Sequence, residues 1–228
     1  MYNTDYLKLS HSRAQAQRRE FSMHENLQIY IKDEMPDGID IQSILDKINL
    51  AIPSHLTSEV DSIYIGMFAE FEKMETNAMF KDGAIYVTNE QDDEQDLIDD
   101  IVHEIAHSLE NPFGHLIYAD GYLEREFHAK RMRLYEILKT EDLKPSLKMF
   151  NDSEYNKEMD AYLYKKVGYD RLNFIASSYG LFTSAYSATA LREYFANGFE
   201  YFFLDDRSYL AEICPVLYNK IKELHQDD

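Results

Sequence analysis

A single cysteine, Cys214, stands in the 228 residues, so no internal disulfide can form and the fold does not depend on an oxidising compartment. Next to Pro215 that thiol reads as a small buried residue, not a nucleophile. No apolar run approaches the roughly 18 residues of a membrane-crossing helix. Residues 1–22 carry four bases but no apolar core of about 7–15 residues, so they do not read as a signal peptide. The expectation is a cytoplasmic chain, or a secreted one if this is a processed form. Bases are scarce: 23 Lys and Arg face 42 Asp and Glu, a net charge of −19 that argues against nucleic acid and against anionic membrane surfaces. The same charge favours basic peptide substrates, although a solubilising surface explains it more simply. Internal repeats, low-complexity tracts and a glycine-rich phosphate loop are also missing from the sequence. What remains is 45% hydrophobic and 14% aromatic, enough for a sizeable core in one domain or two lobes.

Against that background the segment His103-Glu104-Ile105-Ala106-His107 stands out. Histidines four apart on a helix project from one face, so both imidazoles can reach one metal ion. Glu104 lies about 100° further round, placed to touch a metal-bound water without ligating the metal. The surrounding sequence is helical: Leu97, Ile98, Ile101, Val102, Ile105 and Leu109 form one apolar arc, with His103 and His107 opposite, beside Asp96 and Asp100. The helix would bury its stripe against a sheet and turn the histidines to a cleft. Asp92, Asp93 and Glu94 suit its positively polarised start. Asn111-Pro112 would end it, because proline disfavours the helical conformation in the residue before it.

A zinc hydrolase of this kind needs a third protein ligand and keeps the fourth position for water. Residues 183–203 are its expected source. Leu191, Tyr194, Phe195, Phe199, Phe202 and Phe203 fall at helical spacing and would pack inward, while Glu193, Asn197 and Glu200 share another face. On spacing alone Glu193 and Glu200 compete for the metal.

These two blocks, with a Cys-Pro pair before a last helix, resemble the anthrax lethal factor-like metallopeptidases, a gluzincin-type family that includes the clostridial Pro-Pro endopeptidases. The resembling pattern is an HExxH helix with an acid three residues on, then a tyrosine seven residues before a ligand glutamate that opens an E-[FY]-F-A-x-x-F helix. Glu193 opens EYFANGF and matches the ligand, Tyr186 matches the tyrosine and Glu110 the acid. Residues 211–224, AEICPVLYNKIKEL, resemble the close of the Pro-Pro endopeptidases. The likeness covers residues 95–112 and 183–224. Asn197 departs from it, standing where relatives carry a glutamate, and the 86 residues from His107 to Glu193 imply an inserted helical element.

The resemblance implies an α+β, zincin-like fold: a small twisted sheet and the active-site helix, then a mainly helical C-terminal lobe. It implies Zn2+ held by His103, His107 and Glu193, with Glu104 and Tyr186 catalytic, and a peptide or protein as substrate. Two histidines and one carboxylate leave zinc a net positive charge, enough to bring bound water to a pKa near 7. Glu104 would take the water proton and pass it to the leaving amine, while Tyr186 would help stabilise the oxyanion. Tyr179, in SSYG, is a decoy for that role, and the other reading of the chain is a catalytically silent zincin-fold binding module.

Along the chain, residues 1–24 read as a polar arm, 25–115 as the lobe with the sheet and the HExxH helix, and 116–228 as the helical lobe carrying the third ligand. Strands are expected at 27–33 and 62–68, a helix at 39–52, and a hairpin over 77–89 around Asp82-Gly83. Its second strand, Ala84 to Thr88, would offer a free edge to an extended peptide. Helices are expected at 122–139 and 151–168. His128 reads as a surface residue and His115 as a candidate cleft residue. Ser187 or Thr189 would cap the helix that carries Glu193.

Overall fold

The computed structural model describes residues 20–24, 27–74 and 76–226. Most of the arm expected over 1–24 lies outside them. The protein is mixed α+β, and the chain divides into two compact units, Met1–Ser108 and Leu109–Asp228.

The first unit is built on strands β1 (Glu20–Met23), β2 (Leu27–Ile31), β3 (Ser62–Ile65), β4 (Ala78–Lys81) and β5 (Ala84–Val87), in the order β1-β2-β3-β5-β4. The central three strands run parallel and both outer strands run antiparallel to their neighbours. Helix α1 (Ile41–Ala51) links β2 to β3, and the short α2 (Ala69–Met74) follows β3. Alternation along the strands produces two unlike faces. Ile29, Ile63 and Ile85 meet in register and are fully buried, as are Ile65 and Val87. On the opposite face Tyr30, Tyr64 and Tyr86 stack across the three parallel strands at 5.1 and 5.3 Å. Asp82 and Gly83 both take positive φ, +51° and +79°, the conformation of a tight two-residue hairpin turn.

Two expectations change here. Residues 20–23 belong to the sheet: β1 runs antiparallel to β2 and sets Met23 opposite Leu27, both buried. The strand after the hairpin turn has no free edge: β5 pairs on both sides, with β3 and β4. Among the described residues the edge on that side is β4.

Helix α3 (Glu94–Ile117) starts where Asp93 caps it, its carboxylate accepting from the N–H groups of Gln95 and Asp96 at 2.7 and 3.1 Å. Glu94 accepts from Lys47 at 2.7 Å and from the backbone N–H of Asp40, the residue that caps α1, so the starts of the two helices are tied together. Leu97, Ile98, Ile101, Val102, Ile105 and Leu109 are all buried, as the wheel requires. The helix does not stop at Asn111. It runs through Pro112 to Ile117. Interior proline costs about 3 kcal/mol, and tertiary contacts offset it: Ile117 is fully buried, and the Lys220 ammonium donates to the Leu116 carbonyl at the helix end.

The second unit is helical. It holds α4 (Tyr122–Thr140), α5 (Leu147–Phe150), α6 (Lys157–Ala161), α7 (Tyr169–Ser178), α8 (Leu191–Leu204), α9 (Arg207–Ile213) and α10 (Pro215–Gln226). Its centre is aromatic, with Phe127, Phe182, Tyr194, Phe195 and Phe199 buried around α8. The helix expected over 151–168 is shorter and broken. Asn156 caps α6, accepting from Glu158 N–H at 2.8 Å, and the chain then makes a π-helical turn over Tyr162–Val167 before α7. The Cys-Pro pair opens α10, proline losing nothing at a first turn. The Glu126 carboxylate accepts from the N–H groups of Val216 and Leu217 at 2.9 and 3.0 Å, and from the Tyr194 hydroxyl at 2.9 Å.

Candidate metal site and its surroundings

Helix α3 carries His103, Glu104 and His107. The two imidazole rings lie 4.9 Å apart at 77°, on one face and each half-buried, while Glu104 is only 7% exposed. Helix α8 carries Glu193 in its first turn, half-buried. His103, His107 and Glu193 each offer one ligand atom, and those atoms lie within 4.8 Å of one another. Two imidazole nitrogens and one carboxylate oxygen are the donor set of a catalytic zinc site. Glu200, the competing acid, is not in the group.

Glu193 is placed by its neighbours in sequence. Arg192 Nε donates to Glu110 Oε2 at 2.6 Å, tying the start of α8 to the acid that follows the HExxH segment. The Leu191 N–H donates to the carbonyl of Ser153 at 2.8 Å. Neither Ser187 nor Thr189 caps α8. The cap position is Ala190, without a side-chain bond, because Thr189 Oγ1 instead donates to the Tyr186 carbonyl at 2.7 Å.

Tyr186 lies in a single 3-10 turn, Tyr186–Ala188, packed against α8. As a residue it is 37% exposed. Desolvation of its hydroxyl, and then the Glu193 carboxylate, push its pKa above the ordinary tyrosine range, so it stays a neutral donor. Tyr179 sits elsewhere: 47% exposed at the end of α7, with the Arg133 guanidinium 5.8 Å over its ring. His128 is a half-buried α4 residue 3.7 Å from Glu124, and His115 is exposed in the last turn of α3, outside the metal group.

Two features escaped sequence reasoning. Asn197 is a bridge: its Nδ2 donates to the Glu193 carbonyl at 2.9 Å and its Oδ1 accepts from Ser184 Oγ at 2.5 Å. Ser184 Oγ in turn accepts from the Ser187 N–H at 3.2 Å, inside the tyrosine turn. Only the departure of Asn197 from the family pattern hinted at this. Tyr118 is the other. Its hydroxyl is buried with no hydrogen-bond partner among the described residues, and burial, then the Glu110 charge, raise its pKa. One tyrosine among 18 gave no signal.

No protein-family model, curated protein or solved structure matches the chain. No helix among the described residues is long and apolar enough to cross a membrane.

Proposed function

We propose that the protein is a zinc-dependent endopeptidase with a zincin-like fold, of the lethal factor-like kind that its two motif blocks resemble. The observation that carries this reading is the grouping of His103, His107 and Glu193, with Glu104 next in sequence to the first histidine. A zinc ion on those three ligands would supply a water acidified to a pKa near 7 and a positive charge for a peptide carbonyl.

The chain's own residues do the rest. Glu104 is buried to 7% exposure, which shields its carboxylate from competing bulk water, and a carboxylate one residue past a ligand histidine is set to accept the proton of the attacking water. The same group then returns that proton to the leaving nitrogen. Tyr186, kept neutral by its surroundings, donates its hydroxyl proton in a hydrogen bond to the carbonyl oxygen as charge grows there. Arg192 and Glu110 hold the first turn of α8, and with it Glu193, in place. A silent binding module would need neither a buried base nor a neutral tyrosine donor.

Protein purified without added metal should contain close to one equivalent of zinc by elemental analysis and should cut peptides from a mixed library. Glu193→Ala should remove most of the metal, and Glu200→Ala should leave it. Zinc retained in the first variant and lost in the second would transfer the ligand role to Glu200. Full zinc content without any peptide cleavage would favour the binding module.

A further inference from the structure

The segment between the two motif blocks brings aromatic rings and one carboxylate to the side of Tyr186. The Ser153 carbonyl takes the Leu191 N–H at 2.8 Å, so Tyr155, two residues on and 49% exposed, stands near the start of α8. Asn173 of α7 accepts the Ala185 N–H at 2.6 Å, against the tyrosine turn, and Tyr169 lies one helical turn before Asn173 on the same face. The Tyr169 hydroxyl donates to Asp160 Oδ1 at 3.0 Å, and its ring meets that of Tyr164 at 5.3 Å. Tyr164 is 59% exposed.

The π-helical turn Tyr162–Val167 sits inside this cluster, closed by an N–H of Gly168 donating five residues back to Leu163 at 2.9 Å. Such turns are rare and cluster at functional sites, because the extra residue re-aims side chains. Desolvation first, and then the Asp160 carboxylate, raise the pKa of the Tyr169 hydroxyl, on which Tyr155 and Tyr164 also act.

Asp160 is half-buried and makes no ion pair among the described residues; Lys157, Lys165 and Lys166 of the same segment are exposed and do not reach it. A carboxylate set among tyrosine rings without a cation of its own is complementary to a positive charge, through ion pairing and through the ring faces.

We propose that Asp160, Tyr155, Tyr164 and Tyr169 form a subsite beside Tyr186 for a cationic side chain, arginine or lysine, of a peptide substrate. This assignment rests on the peptidase reading for what it serves, and not for whether it binds. The chain's net charge of −19 would help draw such a peptide in.

Binding is measured on the full chain carrying Glu104→Gln, which leaves peptides uncut. The probes are labelled alanine-rich heptapeptides with one arginine at each position in turn, and their citrulline counterparts, which keep the shape and lose the charge. Fluorescence anisotropy should show about tenfold tighter binding of arginine over citrulline at one position, the order expected for one partly desolvated charge contact. Adding Asp160→Asn should erase the difference by weakening the arginine peptide alone, and Tyr164→Leu should reduce it several-fold. Equal binding of the two peptides at every position overturns the subsite, as does an Asp160→Asn effect common to both. Cleavage of the same peptides by the unmodified protein separates the two readings. Cleavage without an arginine preference removes the subsite alone, whereas an arginine preference in binding without cleavage removes the peptidase alone.

Discussion

Gly198 lies five residues after Glu193 in α8, and a Cβ added there would stand 2.3 Å from Leu217 Cδ2, 2.7 Å from its Cγ and 3.0 Å from its Cδ1. Leu217 belongs to α10 and is fully buried, so its side chain has no open space to swing into. Helix propensity alone favours Gly198→Ala by about 1 kcal/mol. Overpacking opposes it. Inserted methyl groups cost about 1–3 kcal/mol, and a contact more than 1 Å too short at an immobile leucine belongs at the upper end. The two effects leave a net loss of about 1–2 kcal/mol. With about 2–4 °C per kcal/mol for a chain of this size, thermal unfolding should fall by roughly 2–8 °C. Leu217→Ala, costly by itself at a fully buried leucine, should cost less in the Gly198→Ala background, with a coupling of at least about 0.5 kcal/mol in the double-mutant cycle. A melting temperature unchanged or raised in Gly198→Ala would refute the close approach of α8 and α10, since propensity would then have won.

Glu104→Gln should keep zinc content and melting temperature while lowering peptide turnover by a factor on the order of 10² or more, because the attacking water loses its proton acceptor; undiminished turnover would remove Glu104 from the mechanism. Tyr186→Phe should reduce kcat by roughly 10- to 1,000-fold with KM and zinc little changed, and Tyr179→Phe should be near neutral. The opposite ranking of the two tyrosines would show that the carried-over role is misplaced. Glu126→Gln keeps the shape but weakens three hydrogen bonds, two of them to the first N–H groups of α10, and should cost about 1–3 kcal/mol in urea unfolding. No change in stability would mean that α10 does not need that carboxylate.

The elements that sequence reasoning located are those in which periodicity and burial agree. The α3 arc, the hairpin at Asp82-Gly83 and the inward face of α8 each repeat one physical preference over several residues, so no single competing contact can overturn them. The misses share another cause. Pro112 forbids nothing outright; it imposes a cost, and the burial of Ile117 together with the Lys220 bond to Leu116 outweighs it, through partners over a hundred residues away. The pairing of β5 on both sides depends on which strand comes next to it in space, and alternation along one strand carries no information on that. Around the break of 151–168 into a short helix and a π turn, the Tyr162 and Tyr169 hydroxyls donate to the Leu143 carbonyl and to Asp160, partners that helical periodicity does not reveal. In the site, the paired histidines were legible because chelation demands a spacing, whereas spacing left Glu193 and Glu200 open and only the family resemblance favoured Glu193. The bridging of Asn197 was not, since a helical asparagine has no spacing to obey.

That bridge bears on how the stretch holding Tyr186 and Glu193 keeps its shape beside the long helical segment that precedes it. Glu193 and Tyr186 belong to one short stretch of chain, and the residues joining them are closed on themselves: Asn197 holds the Glu193 carbonyl and Ser184, Ser184 holds the Ser187 N–H, and Thr183 and Ser187 share a further contact at 3.1 Å. Ser187 and Asn197 are both buried, so these bonds are exchanged with water only at the cost of opening the turn. Two backbone N–H groups of this stretch, those of Ala185 and Leu191, donate to the preceding helical segment, at Asn173 Oδ1 and at the Ser153 carbonyl. Local bonds therefore fix the spacing between Tyr186 and Glu193, whatever residues the preceding segment sets beside Tyr186.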